Sequence, residues 1–224
     1  TGGGNGYPFR FAYVSHVTAR RLLASHNNRM WNTHPIAVEY STYVLLEECE
    51  VYDYSRHGFS IWRSRFVTVR RGYVNSMKTS PCCYPGGDTR DYGDSSVSLY
   101  GTSDSIIENT INENAANGFT ISGISSSNDP SGSGGRRNKI LGSITLDDEF
   151  GGIRVGGRVN IALPGPGSSH SALDNLVQDY VAVHGGPEQI FVRAAARGFT
   201  LNNTTLYGSV DSGFVVDPGG WACS

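Results

Sequence analysis

Residues 36–54 read Ile36-Ala37-Val38-Glu39-Tyr40-Ser41-Thr42-Tyr43-Val44-Leu45-Leu46-Glu47-Glu48-Cys49-Glu50-Val51-Tyr52-Asp53-Tyr54. Laid over residues 59–77 with a shift of 23, Ile36 falls on Phe59, Val38 on Ile61, Ser41 on Ser64, Tyr43 on Phe66, Val44 on Val67, Leu46 on Val69 and Val51 on Val74. A shift of 27 brings Phe9, Phe11, Tyr13, Val17, Ala19 and Ala24 into the same scheme. Apolar residues alternate within each unit, the period of a strand with one face buried. A repeat of two to three dozen residues containing two or three short strands describes a solenoid in which like positions stack into columns.

A second signal runs further along the chain. A small or polar residue, a glycine and an apolar residue open a short alternating run at His57-Gly58-Phe59, Asn117-Gly118-Phe119, Gly151-Gly152-Ile153 and Ser212-Gly213-Phe214. The glycine is expected to supply a positive φ at a sharp bend. The residue before it is expected to form a hydrogen-bonding ladder, with His57 standing in for Asn or acting as a base. Val97-Ser98-Leu99-Tyr100 opens a further unit. Ile107-Glu108-Asn109-Thr110-Ile111 continues that unit, and residues 138–144 and 174–181 repeat this second half. Helical periodicity is nearly absent, with one helix-like stretch at 193–197.

Composition narrows the function. The 29 glycines among 224 residues exceed the ~7% average usage and are spread along the chain. Charged residues make up 17% and the formal net charge is −2, so nothing selects nucleic acid or an anionic membrane as partner. No stretch approaches the ~18 apolar residues of a membrane span. Arg20-Arg21, Arg70-Arg71 and Arg136-Arg137 read as solvated rung edges. Cys49, Cys82, Cys83 and Cys223 lack the paired spacing of a zinc site, and Cys82 and Cys83 suit disulfides. No metal or cofactor is expected. Abundant Gly, Ser, Thr and Tyr with little Lys points to an extracellular or cell-surface protein. Asn202-Asn203-Thr204-Thr205 holds two overlapping glycosylation sequons.

With its Asn-Gly-Phe rung starts and its Ile107–Ile111 strand, the chain resembles the right-handed parallel β-helix proteins of the pectate-lyase-like superfamily. The resemblance covers nearly all of it. It implies an all-β, single-stranded solenoid of three parallel sheets with loop insertions. Many such proteins are extracellular and act on polysaccharides, whereas others are adhesins, tailspikes or structural coils. One domain is expected over residues 1–224, as part of a longer chain, with loops let out near 77–95, 124–137 and 159–171. Neither end shows an amphipathic cap, so flanking segments or another chain are expected against the ends.

Alternation then says which residues leave the coil. With Phe9, Ile36, Phe59, Val97, Phe119 and Ile153 inward, the outward set includes Glu39, Trp62, Tyr100 and Arg154. Trp62 and Tyr100 offer apolar faces to sugar rings, with Glu39 below and Arg154 above for hydroxyls or uronates. These four are the candidate substrate-binding residues, and polysaccharide is the expected partner. A surface ladder that only stabilises stacked strands is the alternative. Catalysis has weaker support. Hydrolysis generally uses two carboxylates about 5–9.5 Å apart, and Asp147-Asp148-Glu149 reads as a solvated acidic turn. A lyase needs a base and cations, for which Arg63, Arg65, Lys78, Arg154 and Arg158 are available. The function expected is an extracellular carbohydrate-interacting protein, a lyase or hydrolase being one form of it. A non-catalytic structural or adhesive coil is the other reading.

Overall fold

A computed structural model describes residues 7–25, 34–54, 56–76, 95–123, 134–149, 151–156, 172–192 and 196–216. Among these residues there is no helix and every strand pairing is parallel. The first sheet stacks eight strands in chain order: Phe9–Ala12, Ile36–Glu39, His57–Trp62, Ser95–Tyr100, Asn117–Ser122, Gly151–Val155, Glu188–Val192 and Ser212–Val216. Twelve strands form the second sheet, eleven on a path that turns a corner within Leu176–Val183 and one, Thr200–Tyr207, paired with that strand. Leu176–Val183 pairs with Lys139–Leu141 through its first half and Ile144–Leu146 through its second. Gly135–Arg136, Ala172–Leu173 and Ala196–Arg197 form the third. Ala196–Arg197 is thus strand rather than helix, and Gly135–Arg136 belongs to the coil. Residues 77–94, 124–133 and 157–171, the bulk of the three expected loops, lie outside the described residues.

The register is the one the repeat dictates. Phe9 pairs with Ile36 and Ile36 with Phe59; Val17 pairs with Val44 and Val44 with Val67; Ala24 pairs with Val51 and Val51 with Val74. Parallel strands ~4.8 Å apart put identical positions of successive coils in contact. The core is accordingly a set of apolar columns, with Ile36, Phe59, Val97, Phe119, Ile153 and Ile190 all buried in one of them. At the last described strand the column opens: Phe214 is exposed where its partner Ile190 is buried.

Corners are turned by single residues with positive φ, and these also stack. His16, Tyr43, Phe66, Asp104, Arg137, Asp174 and Gly198 form one such column; Arg21, Glu48, Arg71, Asn109, Gly142, Asp179 and Asn203 form the next. An L-residue there costs of order 1–2 kcal/mol relative to Gly. The cost is offset by contacts along the column. The Tyr43 ring stacks between His16 and Phe66 at 4.8 and 4.7 Å. Tyr13 and Tyr43, aligned with the apolar set in sequence, therefore project outward and are exposed.

The arginine pairs, although largely exposed, are partnered. Sign alternates from coil to coil: Arg20 and Arg21, then Glu47 and Glu48, then Arg70 and Arg71, then Glu108. Arg20 and Arg71 both reach Glu47, at 2.6 and 2.7 Å, and Arg70 reaches Glu108 at 2.9 Å. A slip by one coil would set like charges together, so the alternation helps fix register. Arg137, aided by Arg65, hydrogen-bonds Asp104 and draws its carboxyl from 3.8 down to about 2. A depressed folded-state pKa contributes stability that is complete above about pH 4 and lost as pH falls towards 2. Wild type is expected to lose more stability than Asp104→Asn between those values. Urea midpoints measured at both pH values check this; parallel losses would refute it.

The glycines after His57, Asn117 and Gly151 do not have positive φ. Their role is close approach. A Cβ on Gly58 would lie 2.7 Å from Val74 Cγ1 and 2.8 Å from the Ser96 carbonyl oxygen. A Cβ on Gly118 would fall on the Gly152 carbonyl oxygen. These positions point into the coil, as does Ser96, whose hydroxyl donates to Asn112. Two consecutive residues, Gly58 and Phe59, therefore face inward at a break in the alternation that keeps the register, and His57 faces out. The side-chain ladder expected at the rung start lies instead at the corner into the second sheet. There Asn138 Oδ1 accepts from the Ser105 amide and Asn175 Oδ1 from the Asn138 amide, at 3.1 and 2.8 Å.

Cys49 forms no disulfide. It is a free thiol, buried in the core, 3.5 Å from the Glu47 carbonyl oxygen, and burial raises its pKa. Cys82, Cys83 and Cys223 lie outside the described residues.

Candidate functional site

The outer face of the first sheet carries three adjoining columns. The break in alternation places His57, Ser95 and Asn117 in the first. Ala37, Ser60, Ser98, Thr120 and Arg154 form the second. Glu39, Trp62, Tyr100 and Ser122 form the third. Across the first two, Ser95 Oγ lies 2.7 Å from Thr120 Oγ1.

Glu39, Trp62 and Tyr100 are consecutive register partners. The Trp62 and Tyr100 rings meet edge to face, 6.0 Å apart at 61°. Tyr100 also leans back to within 5.4 Å of His57, whose ring is 5.1 Å from His34; His34 in turn stacks on Tyr7 at 5.4 Å. The result is an aromatic cluster over serine and threonine hydroxyls. His34 precedes Ile36 as His57 precedes Phe59, so the repeat itself brings the two imidazoles together.

Charge on this face is balanced or displaced. Glu39 is engaged by Arg10, whose Nη2 and Nε donate to Oε2 at 2.5 and 2.9 Å. Arg154 stands one column over and two strands beyond Tyr100, not directly above it. Its guanidinium lies 6.0 Å over the Phe191 ring, on the far side from Tyr100. Burial, with the nearby Arg56 charge, takes His34 down to about 3, and burial and His34 hold His57 well below its ordinary value. Both imidazoles are neutral at physiological pH. His57, neutral, buried and in ring contact with His34 and Tyr100, belongs to an aromatic stack and is neither a rung of a hydrogen-bonding ladder nor an accessible base. Arg63 and Arg65 are turned to the coil's corner, over Tyr40 and Phe66. Lys78 and Arg158 lie outside the described residues.

The acidic turn divides. Asp147 is exposed, 3.7 Å from His184 Nδ1. Asp148, expected in solvent, is buried inside the coil and accepts from Asn112 Nδ2 and the Ala115 amide at 2.6 and 3.1 Å. It is a structural acceptor. Among the described residues no group of His, Cys, Asp and Glu is arranged to hold a metal ion.

No protein-family model matches the chain, and no curated protein matches it. Solved structures do. The catalytic domain of a GH87 alpha-1,3-glucanase in complex with nigerose is similar at 12% identity and a TM-score of 0.54, over 92% of this chain and 50% of that one. Endo-xylogalacturonan hydrolase from Aspergillus tubingensis is similar at 13% identity and a TM-score of 0.52, over 97% and 64%. The chain is a right-handed parallel β-helix. At these identities the likeness is one of architecture. The β-helix here spans half to about two thirds of the length of those chains. It shares its fold with carbohydrate-active enzymes, and its outer sheet-one face is a cluster of aromatic, imidazole and hydroxyl groups.

Proposed function

We propose that this β-helix binds polysaccharide through the outer face of its first sheet, at Glu39, Trp62, Tyr100 and Arg154. The observation that carries the reading is the Trp62–Tyr100 pair. The rings meet edge to face rather than in the parallel stack of a ladder, and an aromatic face suits the C–H face of a sugar. Two solved proteins of the same fold, a glucanase holding nigerose and a xylogalacturonan hydrolase, support a carbohydrate partner. An extracellular or cell-surface setting is part of the proposal and rests on composition.

Recognition has better support than turnover. Glu39 is committed to Arg10, and the other carboxylate carried by these strands, Glu188, lies five strand spacings away, about 24 Å. That is beyond the ~9.5 Å limit for a hydrolytic pair. A polysaccharide lyase or hydrolase is the stronger claim, and sugar release from a panel of neutral and uronate polymers would establish it.

Affinity electrophoresis on that panel tests the binding reading. Trp62→Ala is expected to weaken retention about tenfold, the scale of one lost aromatic platform, while leaving the melting temperature nearly unchanged. Wild-type protein that no polymer retains would overturn the proposal and leave a structural or adhesive coil.

A further inference from the structure

A second aromatic surface adjoins the first. Tyr13, Tyr40 and Arg63 follow directly on Ala12, Glu39 and Trp62, so their column borders the one that holds Trp62. Tyr13 and Tyr40 stack at 5.1 Å and 3°, and Arg63 lies 5.7 Å over the Tyr40 ring with Nη1 3.4 Å from the Tyr40 hydroxyl. Both tyrosines are exposed, Tyr13 at 75%.

The backbone does not call for these side chains. All three residues have positive φ, a conformation that favours glycine or asparagine. The fourth strand turns the same corner with Gly101 at φ +58. The first three coils instead place two phenols and a guanidinium there, with both phenol rings exposed. Tyr and Arg are the residues that concentrate binding energy at surfaces, and each joins a flat face to hydrogen-bonding groups.

We infer that Tyr13, Tyr40 and Arg63 form an accessory subsite that takes further sugar units of a chain lying on Trp62 and Tyr100, so that the β-helix recognises extended polymer rather than short oligosaccharide. The inference rests on the carbohydrate reading of the sheet-one face. Its occupant follows from continuity: a glycan that leaves Trp62 toward the corner meets Arg63 and Tyr40 next. Phenol hydroxyls then face sugar hydroxyls, Arg63 holds the Tyr40 ring in place, and the exposed Tyr13 ring offers a platform at the end of the stack.

The test uses Tyr40→Asn, which keeps a residue suited to positive φ. The probes are α-1,3-gluco-oligosaccharides and xylogalacturonan oligosaccharides of two to ten units, titrated calorimetrically. Wild-type affinity for at least one series is expected to rise about tenfold from trimer to decamer, the scale of one aromatic contact. In Tyr40→Asn that rise disappears, while trimer affinity and melting temperature stay as in wild type. Trp62→Ala weakens all lengths alike. An undiminished rise in Tyr40→Asn, or a fall in its melting temperature, overturns the inference and leaves the column a scaffold. Wild-type protein that binds neither series at any length overturns the carbohydrate reading and the subsite with it.

Discussion

Gly118→Ala is expected to destabilise the protein by about 3 kcal/mol or more, enough to leave much of it unfolded at room temperature. The new methyl group would fall on the Gly152 carbonyl oxygen, 2.6 Å from Thr145 Cγ2 and 2.7 Å from Asp148 Oδ2. None of these is the free end of a flexible side chain. Relief requires separating two paired strands of the first sheet, which would break the Asn117–Gly151 and Phe119–Ile153 register. Gly72→Ala is the control. Its Cβ meets nothing nearer than 3.4 Å and its φ is not positive, so it should be neutral or stabilise by about 0.4–1 kcal/mol. Urea unfolding followed by circular dichroism measures both, and equal midpoints for the two variants would refute the close-approach account.

Asp148→Ala is expected to cost about 3 kcal/mol, whereas Asp147→Ala should stay within about 0.5 kcal/mol. Asp148 closes a polar chain inside the coil. Its Oδ1 accepts from Asn112 and Ala115; Asn112 Oδ1 accepts from the Ser96 hydroxyl; and Ser96 Oγ lies 3.2 Å from the Tyr54 hydroxyl. Removing the carboxylate strands a buried amide side chain and a buried main-chain N–H, each a desolvated donor without water to turn to. Asp147 is half exposed and loses only a long contact to His184. A pair of matching denaturation curves would show that the interior network contributes nothing. The same two variants bear on chemistry: if Asp147→Ala abolished sugar turnover with the fold intact, the acidic turn would regain a catalytic role.

How much of the molecule was legible in its sequence depends on distance along the chain. The register of the first three coils was legible because Ile36 and Phe59, or Val44 and Val67, hold the same place in the apolar alternation of their units, and stacking demands that like meet like. The Glu39–Trp62–Tyr100 column followed from the same repeat. Parity failed where two consecutive residues of each strand face inward. The break at Gly58 turns His57 out and Ser96 in, and nothing local distinguishes it from plain alternation. The glycine there was legible as necessary, but its reason was not, because a collision with the next coil is a contact across some 30 residues. Asp148 looked like its neighbours Asp147 and Glu149; only the closing of the coil decides which of three acidic residues is inside.

Sequence alone determined that this is a stack of parallel strands, which apolar residues fill it, and which coil lies on which. Those follow from periodicity, a property each segment carries within itself. Tertiary structure decided the rest: that Arg10 neutralises Glu39, that Arg154 leans away over Phe191, that His34 and His57 are buried and neutral, and that exposed tyrosines line the corner beside Trp62. Charge state, exposure and ring orientation depend on side chains brought from successive coils to within a few ångströms, and no single strand encodes its neighbours.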